Sequence, residues 1–331
     1  MNMRKGWKYY ACLLGSQLMW PALALRSAQG LFSFNGADQD APVLVTTDYY
    51  MTVFRVTEEI EKQNLRCHLL VVDGHGINVW CGSRGSHVNT DSVLSAISST
   101  KLESIVSHRN LILPQLAASS VSKLVLSDNG WHAVFGPVEI ADVAEFIENE
   151  NKKSLEQSIV KFGFHKRMEC NLAHLTFETT MFLMMTPIFW ILGLLGGVFL
   201  SWSSYWITNL LLLLIGVWIL GTAMAIIDPK MPTSSGYVRG AIIGVLALII
   251  SKTALLFMAF LSNTHLTVIS QWAWLDTSGI TVLGLSLFVG FNWGGSTPQL
   301  GEDQMIRDII AGIGTLIVLF VLGFYFPMGI F

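Results

Sequence analysis

The chain has 331 residues, of which 52% are apolar and only 13% charged, and its formal net charge is −3 at pH 7. That balance, with no Lys/Arg cluster carrying interleaved aromatics, excludes a nucleic-acid-binding face. Apolar residues crowd the second half, so a soluble domain is joined to a membrane-type one.

Residues 1–29 form an N-terminal extension. Met1 to Lys8 is basic and Tyr9 to Leu25 fairly apolar, a pattern shared with signal peptides. Gln17 and Pro21 interrupt it, and Arg26 stands where a cleavage region is neutral. An exported signal or an extra span is the competing reading.

Residues 30–175 form the soluble domain. From residue 43 onward, short β-branched runs alternate with helical patterns, as in a Rossmann-like α/β domain whose parallel sheet is covered on both faces. The predicted strands are Pro42–Thr46, Leu69–Asp73, Ile77–Trp80, Leu111–Leu113, Lys123–Leu126 and His132–Phe135. The predicted helices cover about 51–63, 91–106 and 138–149, the last announced by Gly136-Pro137. Ligands of open α/β sheets bind outside the carboxyl ends of the strands. Here those ends carry Thr46-Thr47-Asp48-Tyr49, Trp80-Cys81, Pro114-Gln115 and Gly136-Pro137. No G-x-G-x-x-G follows the first strand and no Walker A pattern is present, so dinucleotide and phosphate-loop readings have no support.

The four cysteines, Cys12, Cys67, Cys81 and Cys170, contain no C-x-x-C pair, which favours a reducing compartment over a disulfide framework. Cys81 closes the run Gly76-Ile77-Asn78-Val79-Trp80-Cys81, where an apolar stretch meets a Gly/Ser-rich turn. Such a cysteine is either a soft ligand or nucleophile, or a buried small hydrophobe. The neighbouring rim residues have equally plain alternatives. Trp80 packs a core or stacks on a cofactor, and Thr46, Thr47 and Asp48 cap the next helix or bind a ligand. Pro114 and Gln115 end a strand or line a pocket, and His108 and Arg109 form a solvated helix end or part of the site.

Residues 176–331 are the second domain, an all-α transmembrane region. A span needs about 20 apolar residues, and about five stretches qualify, near 179–200, 205–227, 240–261, 277–294 and 309–331. Ser201 to Ser204 reads as a tight hairpin. Lys161, Lys166, Arg167, Lys230, Arg239 and Arg307 fall in alternate loops, whereas 201–204 and 262–276 carry no Lys or Arg. Since cytoplasmic loops retain cations, this predicts a multi-pass protein of the inner membrane with its soluble domain in the cytoplasm and its C-terminus outside. Lys252, mid-way along the third stretch, is either functional or satisfied by a polar partner such as Asn209.

Several ordered segments carry a family resemblance. They are Gly30-Leu31-Phe32 leading to Pro42-Val43-Leu44-Val45-Thr46-Thr47-Asp48-Tyr49; Asp73 to Cys81 with N-V-W-C; Ser107-His108-Arg109-Asn110-Leu111-Ile112-Leu113-Pro114-Gln115-Leu116; Phe135-Gly136-Pro137-Val138; and Gly295-Ser296-Thr297-Pro298. In this order they resemble the membrane-bound corrinoid protein of microbial mercury methylation and, more distantly, the large-subunit corrinoid domain of the corrinoid iron-sulfur protein.

The resemblance implies a corrinoid (cobalamin) cofactor with Cys81 as axial cobalt ligand and catalytic residue. A thiolate is a soft donor suited to such a centre. It also implies a pocket of Thr46, Thr47, Asp48, Tyr49, Asn78, Val79, Trp80, Gly82, His108, Pro114, Gln115, Leu116, Gly136 and Pro137. The implied activity is corrinoid-dependent methyl transfer to a soft acceptor such as mercuric ion, with a methyl-pterin donor or its methyltransferase. A ferredoxin-like iron-sulfur partner would supply electrons, because four scattered cysteines do not hold such a cluster here. The family pattern continues A-A-G-K after N-V-W-C, whereas this chain has Gly82-Ser83-Arg84-Gly85; glycine for alanine costs a helix about 1 kcal/mol per position. Asp73-Gly74-His75-Gly76 begins like the D-x-H-x-x-G motif of other corrinoid methyltransferases, but Asn78 takes the final glycine's place, leaving His75 a loop residue. Two rival functions stay open: a membrane-anchored corrinoid-binding protein without mercury-methylating activity, and a transporter with a cytoplasmic regulatory domain.

Overall fold

The computed structural model describes residues 6–17, 25–195, 206–232, 235–262, 277–296, 306–308, 310–315 and 317–318. Two compact units divide between Lys161 and Phe162.

The first unit is built on a five-stranded sheet of β1 (Gly30–Phe34), β2 (Val43–Thr47), β3 (Cys67–Val72), β4 (Asn110–Leu113) and β5 (His132–Phe135), in the order β1-β3-β2-β4-β5. Four strands run parallel, and β1 joins the edge antiparallel, Gly30 opposite Val71 and Phe34 opposite Cys67. The sheet is therefore mixed. The edge strand lay outside the predicted set because G-L-F-S-F is short and half-buried, and its pairing is supplied by distant β3.

Both faces of the sheet are covered. Val43, Val45, Leu70 and Val72 point into one core with Val79, Val93, Ile97 and Leu113. Leu44, Leu69, Val71 and Ile112 point into the other, with Val53, Ile60, Val143 and Phe146. This two-sided burial gives continuous rather than alternating apolar strands, and each fully buried aliphatic side chain contributes about 1.5–3 kcal/mol.

The covering helices are α1 (Trp7–Gln17), α2 (Tyr50–Lys62), α3 (Val79–Arg84), α4 (Thr90–Thr100), α5 (Lys123–Asp128) and α6 (Val143–Glu148). α1 packs on α2, the Tyr9 and Phe54 ring centroids lying 4.7 Å apart. The helix expected over 91–106 stops at Thr100, where Lys101 turns left-handed (φ 51°) before a single 3-10 turn at Leu102–Ser104. The one expected over 138–149 starts as a 3-10 turn at Ile140–Asp142 and becomes α-helical only at Val143.

Two predicted strands are helices instead. Ser122 caps Lys123–Asp128 by accepting from Val125 N, so Leu126 is buried while Leu124 stays exposed, a helical rather than an alternating pattern. Ile77–Trp80 is a loop running into α3. His75 and Gly76 have positive φ (57° and 72°) and turn the chain before it can extend.

The second unit contains α7 (Phe164–Leu195), α8 (Trp206–Ile227), α9 (Gly236–Ser262) and α10 (Thr277–Ser296). Phe182, Val217, Leu285, Phe288 and Trp293 form its core. α8, α9 and α10 overlap three of the expected apolar stretches and α7 overlaps the first but starts earlier, at Phe164; among the described residues two windows, Leu213–Lys230 and Gly236–Ala254, are long and apolar enough to cross a membrane. The fifth stretch is described only in part, as helical residues up to 318; the expected hairpin at 201–204, Thr297, Pro298 and residues 263–276 lie outside the described residues.

Glycines set the spacing of α9 and α10. A Cβ on Gly240 would lie 2.6 Å from Ser286 O, and one on Gly290 would run into Gly236 O. Small residues at four-residue spacing let two helix backbones touch. Beside that crossing Arg239 Nη1 lies 2.5 Å from Asp228 Oδ1, both side chains buried. Lys252 is also buried and has a partner within the fold.

Candidate functional site

Buried Thr46 and Thr47 end β2, followed by buried Asp48 and half-buried Tyr49. The Asp48 carboxylate is fully enclosed and reaches across to the next loop. Its Oδ1 accepts from Gly74 N (3.0 Å) and Gly76 N (2.9 Å), and its Oδ2 from Gln29 Nε2 (3.1 Å). Successive backbone N–H groups around a left-handed turn form a natural anion nest. Asp48 thus fixes the loop that delivers α3. Gly74 must be glycine there, since a Cβ would meet Thr47 Cβ at 2.9 Å.

α3 carries Val79, Trp80, Cys81 and Gly82. Val79 is buried and anchors the helix in the sheet's core. Gly82 N donates to Asn78 O at 2.8 Å, and Gly82 O accepts from both His87 N (2.8 Å) and Val88 N (3.1 Å). Half-buried Asn78 and Trp80 both engage neighbours. The glycine at 82 is filled from outside, because a Cβ there would lie 2.8 Å from Val88 Cγ2.

The 3-10 turn Gln115–Ser119, which follows Pro114 and includes Leu116, packs against α3. Gly136 and Pro137 are buried where β5 ends, and a Cβ on Gly136 would meet Ile112 Cγ2 at 2.9 Å. Lys153 ties these pieces together and was not among the predicted residues. Its Nζ donates to Gln115 Oε1, to Phe135 O (2.6 Å) and to Gly136 O (2.9 Å). Burial, then repulsion from Lys123, lowers its affinity for a proton. Nothing in the polar run N-E-N-K-K marks Lys153 as special; only the fold brings it to the rim.

The rim thus gathers Thr46, Thr47, Asp48, Tyr49, Asn78, Val79, Trp80, Cys81, Gly82, Pro114, Gln115, Leu116, Gly136 and Pro137 on the loops and turns at the carboxyl ends of β2, β3, β4 and β5. His108 is not brought there. It precedes β4 at the opposite, amino end of the sheet, where Nε2 meets Ala41 O (3.0 Å) and Nδ1 accepts from Asn110 N (3.1 Å). His75 is exposed on its loop, 3.8 Å from Asp73.

Two hydroxyls in these segments, Thr47 Oγ1 and Ser83 Oγ, are buried without a hydrogen-bond partner. Cys12 and Cys67 are buried free thiols; burial raises both, Cys67 to about 12, which leaves them inert.

Residues 19–147 match the family described as CO dehydrogenase/acetyl-CoA synthase delta subunit. The match includes every rim residue predicted from sequence and none of the helical unit. Relatives of the chain include two gamma subunits of the acetyl-CoA decarbonylase/synthase complex. That of Methanocaldococcus jannaschii is 34% identical over 128 residues, 39% of this chain and 26% of the relative. That of Methanopyrus kandleri is 32% identical over 128 residues, 39% of this chain and 28% of the relative. The corrinoid/iron-sulfur protein large subunit of Moorella thermoacetica is 27% identical over 127 residues, 38% of this chain and 28% of that one. The chain spans about a quarter of the length of the curated relatives it matches.

Proposed function

We propose that the rim binds a corrinoid and that the chain acts in corrinoid-dependent methyl transfer, with Cys81 as the residue that would hold the cobalt. The observation that carries this reading is a pair: the chain is similar to a corrinoid/iron-sulfur protein large subunit, and Cys81, within the matched residues 19–147, sits on a short helix at the carboxyl ends of the strands. The residues present fit such a group. Thr47 Oγ1 and Ser83 Oγ are orphaned hydroxyls able to bond the amide groups that fringe a corrin ring, and a thiolate is a soft donor for cobalt. A bound corrinoid supplies a cobalt centre that carries the methyl group between donor and acceptor.

The chain's own residues hold and orient. Asp48 fixes the turn before α3, Val79 seats the helix, and Lys153 locks Gln115 to the end of β5. Tyr49, Asn78, Trp80, Pro114, Leu116 and Pro137 complete the walls of the proposed pocket. Cys81 would hold the cobalt through a soft, strongly donating sulfur, and the chemistry such a centre would supply suits a soft electrophile such as mercuric ion.

The residues near 30–175 serve as a cytoplasmic domain anchored by about five helices in the inner membrane. Its partners are a ferredoxin-like iron-sulfur electron donor and a methyl-pterin donor or its methyltransferase. The test is single-turnover transfer from the methylated, full-length protein to mercuric ion. Methylmercury should form with the wild type and fall to background with Cys81→Ala; equal yields from both would overturn the assignment. Corrinoid binding without transfer by the wild type would favour a carrier with a different acceptor.

A further inference from the structure

The helical unit holds a second polar centre, far along the chain from the rim. On one face of α7, Asn171, His174 and Glu178 lie three and four residues apart, so their side chains stack along one stripe. Asn171 and Glu178 are each 2% exposed. Facing them from α10 are Asn292, beside the Glu178 carboxyl, and Trp293, whose ring centroid is 5.9 Å from that of His174. Five polar atoms in this patch are buried without a hydrogen-bond partner: Asn171 Oδ1, His174 Nδ1, Glu178 Oε2, Asn292 Nδ2 and Trp293 Nε1. Each such atom is unfavourable if left dry. Asn292 Nδ2 and Trp293 Nε1 are obligate donors, Asn171 Oδ1 is an acceptor, and Glu178 Oε2 and His174 Nδ1 donate or accept according to where the proton sits, a mixture that internal water satisfies.

An ionised carboxylate enclosed this way needs a counter-cation. α8 and α10, the helices packed against α7, contain no ionisable side chain. Among the other groups of the unit, Arg167 donates to Ala225 O (2.9 Å) and Phe162 O (2.8 Å), and Arg239 pairs with Asp228. Tyr237 is exposed, Lys252 has its own partner, and Asp308 lies at Gly236. In its first two turns, N-terminal to Asn171, α7 also carries His165, Lys166, Glu169 and Cys170.

We propose that Glu178 and His174 form a hydrated proton-binding site inside the helical bundle, the proton moving from the Glu178 carboxyl through internal water to the His174 imidazole and back. One proton is exchanged and no bond between heavy atoms changes. The site is independent of the corrinoid reading.

Infrared difference spectroscopy of the full-length protein between acidic and alkaline buffers tests it. A carboxylic C=O band should vanish as pH rises, shift in D2O, be missing in Glu178→Gln, and titrate with a displaced midpoint in His174→Gln. A titrating band that persists in Glu178→Gln overturns the proposal, as does a Glu178 band insensitive to D2O, which means a dry and permanently protonated acid. A midpoint unmoved by His174→Gln overturns the pairing. Loss of the band on adding sodium at fixed pH assigns the site to a metal cation instead. If Glu178→Gln does not assemble, Glu178→Asp carries the test: its band must move in frequency, and an unmoved band counts against the site.

Discussion

At the scale of single residues, Asp48 is the pivot of the rim. One oxygen accepts from two buried backbone N–H groups of the loop that leads to Cys81. Asp48→Ala leaves both donors unpaired, each at about 1–3 kcal/mol. Denaturant unfolding of the full chain should show a loss of at least about 2 kcal/mol, less for Asp48→Asn, which keeps an acceptor; an unchanged midpoint for the alanine variant would remove Asp48 from this role. Cys67 makes a separate prediction. Its buried thiol is pushed up to about 12 from 9.0, so the folded chain holds this proton more tightly than the unfolded chain. The associated stability is whole below pH 9 and drains as pH climbs toward about 12. The stability difference between wild type and Cys67→Ala should therefore shift in the alanine variant's favour above pH 9, whereas a pH-independent difference would contradict the buried-thiol account.

At the scale of elements, the packing of α3 accounts for glycine at position 82. Glycine at 82 does cost helix propensity, but the space a Cβ would fill is held by Val88. Gly82→Ala alone should lower the thermal midpoint despite its better propensity, and adding Val88→Ala should restore part of the loss. A stabilising single substitution would show that Val88 yields freely. In the helical unit, the α9–α10 crossing rests on Gly240 and Gly290. Gly240→Val should force the helices apart and reduce the yield of folded protein in detergent; wild-type yield and melting would refute the close approach.

Much of this was legible in the sequence, for identifiable reasons. Strands β2, β3 and β4 are largely buried apolar runs and β5 a short His-Ala-Val-Phe segment before Gly136-Pro137, and the rim motifs follow from where these segments end. What escaped depends on long-range pairing. β1 exists because β3 offers an open edge, Ile77–Trp80 turns helical because Asp48 captures the preceding loop, and Lys153 reaches the rim only through the return of the chain after α6. His108 was drawn toward the site by its neighbours in sequence, yet a strand lies between it and the rim, so it sits at the opposite end of the sheet.

At the scale of the whole molecule, a sheet domain that matches the family described as CO dehydrogenase/acetyl-CoA synthase delta subunit over residues 19–147 is joined to a helical unit that lies beyond that match. The sheet domain supplies a rigid rim; the helices supply apolar length and a buried polar centre of their own. The central claim is the bond from Cys81 to cobalt, and the visible spectrum of detergent-purified protein reconstituted with cobalamin tests it most directly. The wild type should bind the corrinoid with a thiolate-ligated spectrum that Cys81→Ala loses. Identical spectra and equal retention of cobalamin in both proteins would contradict it.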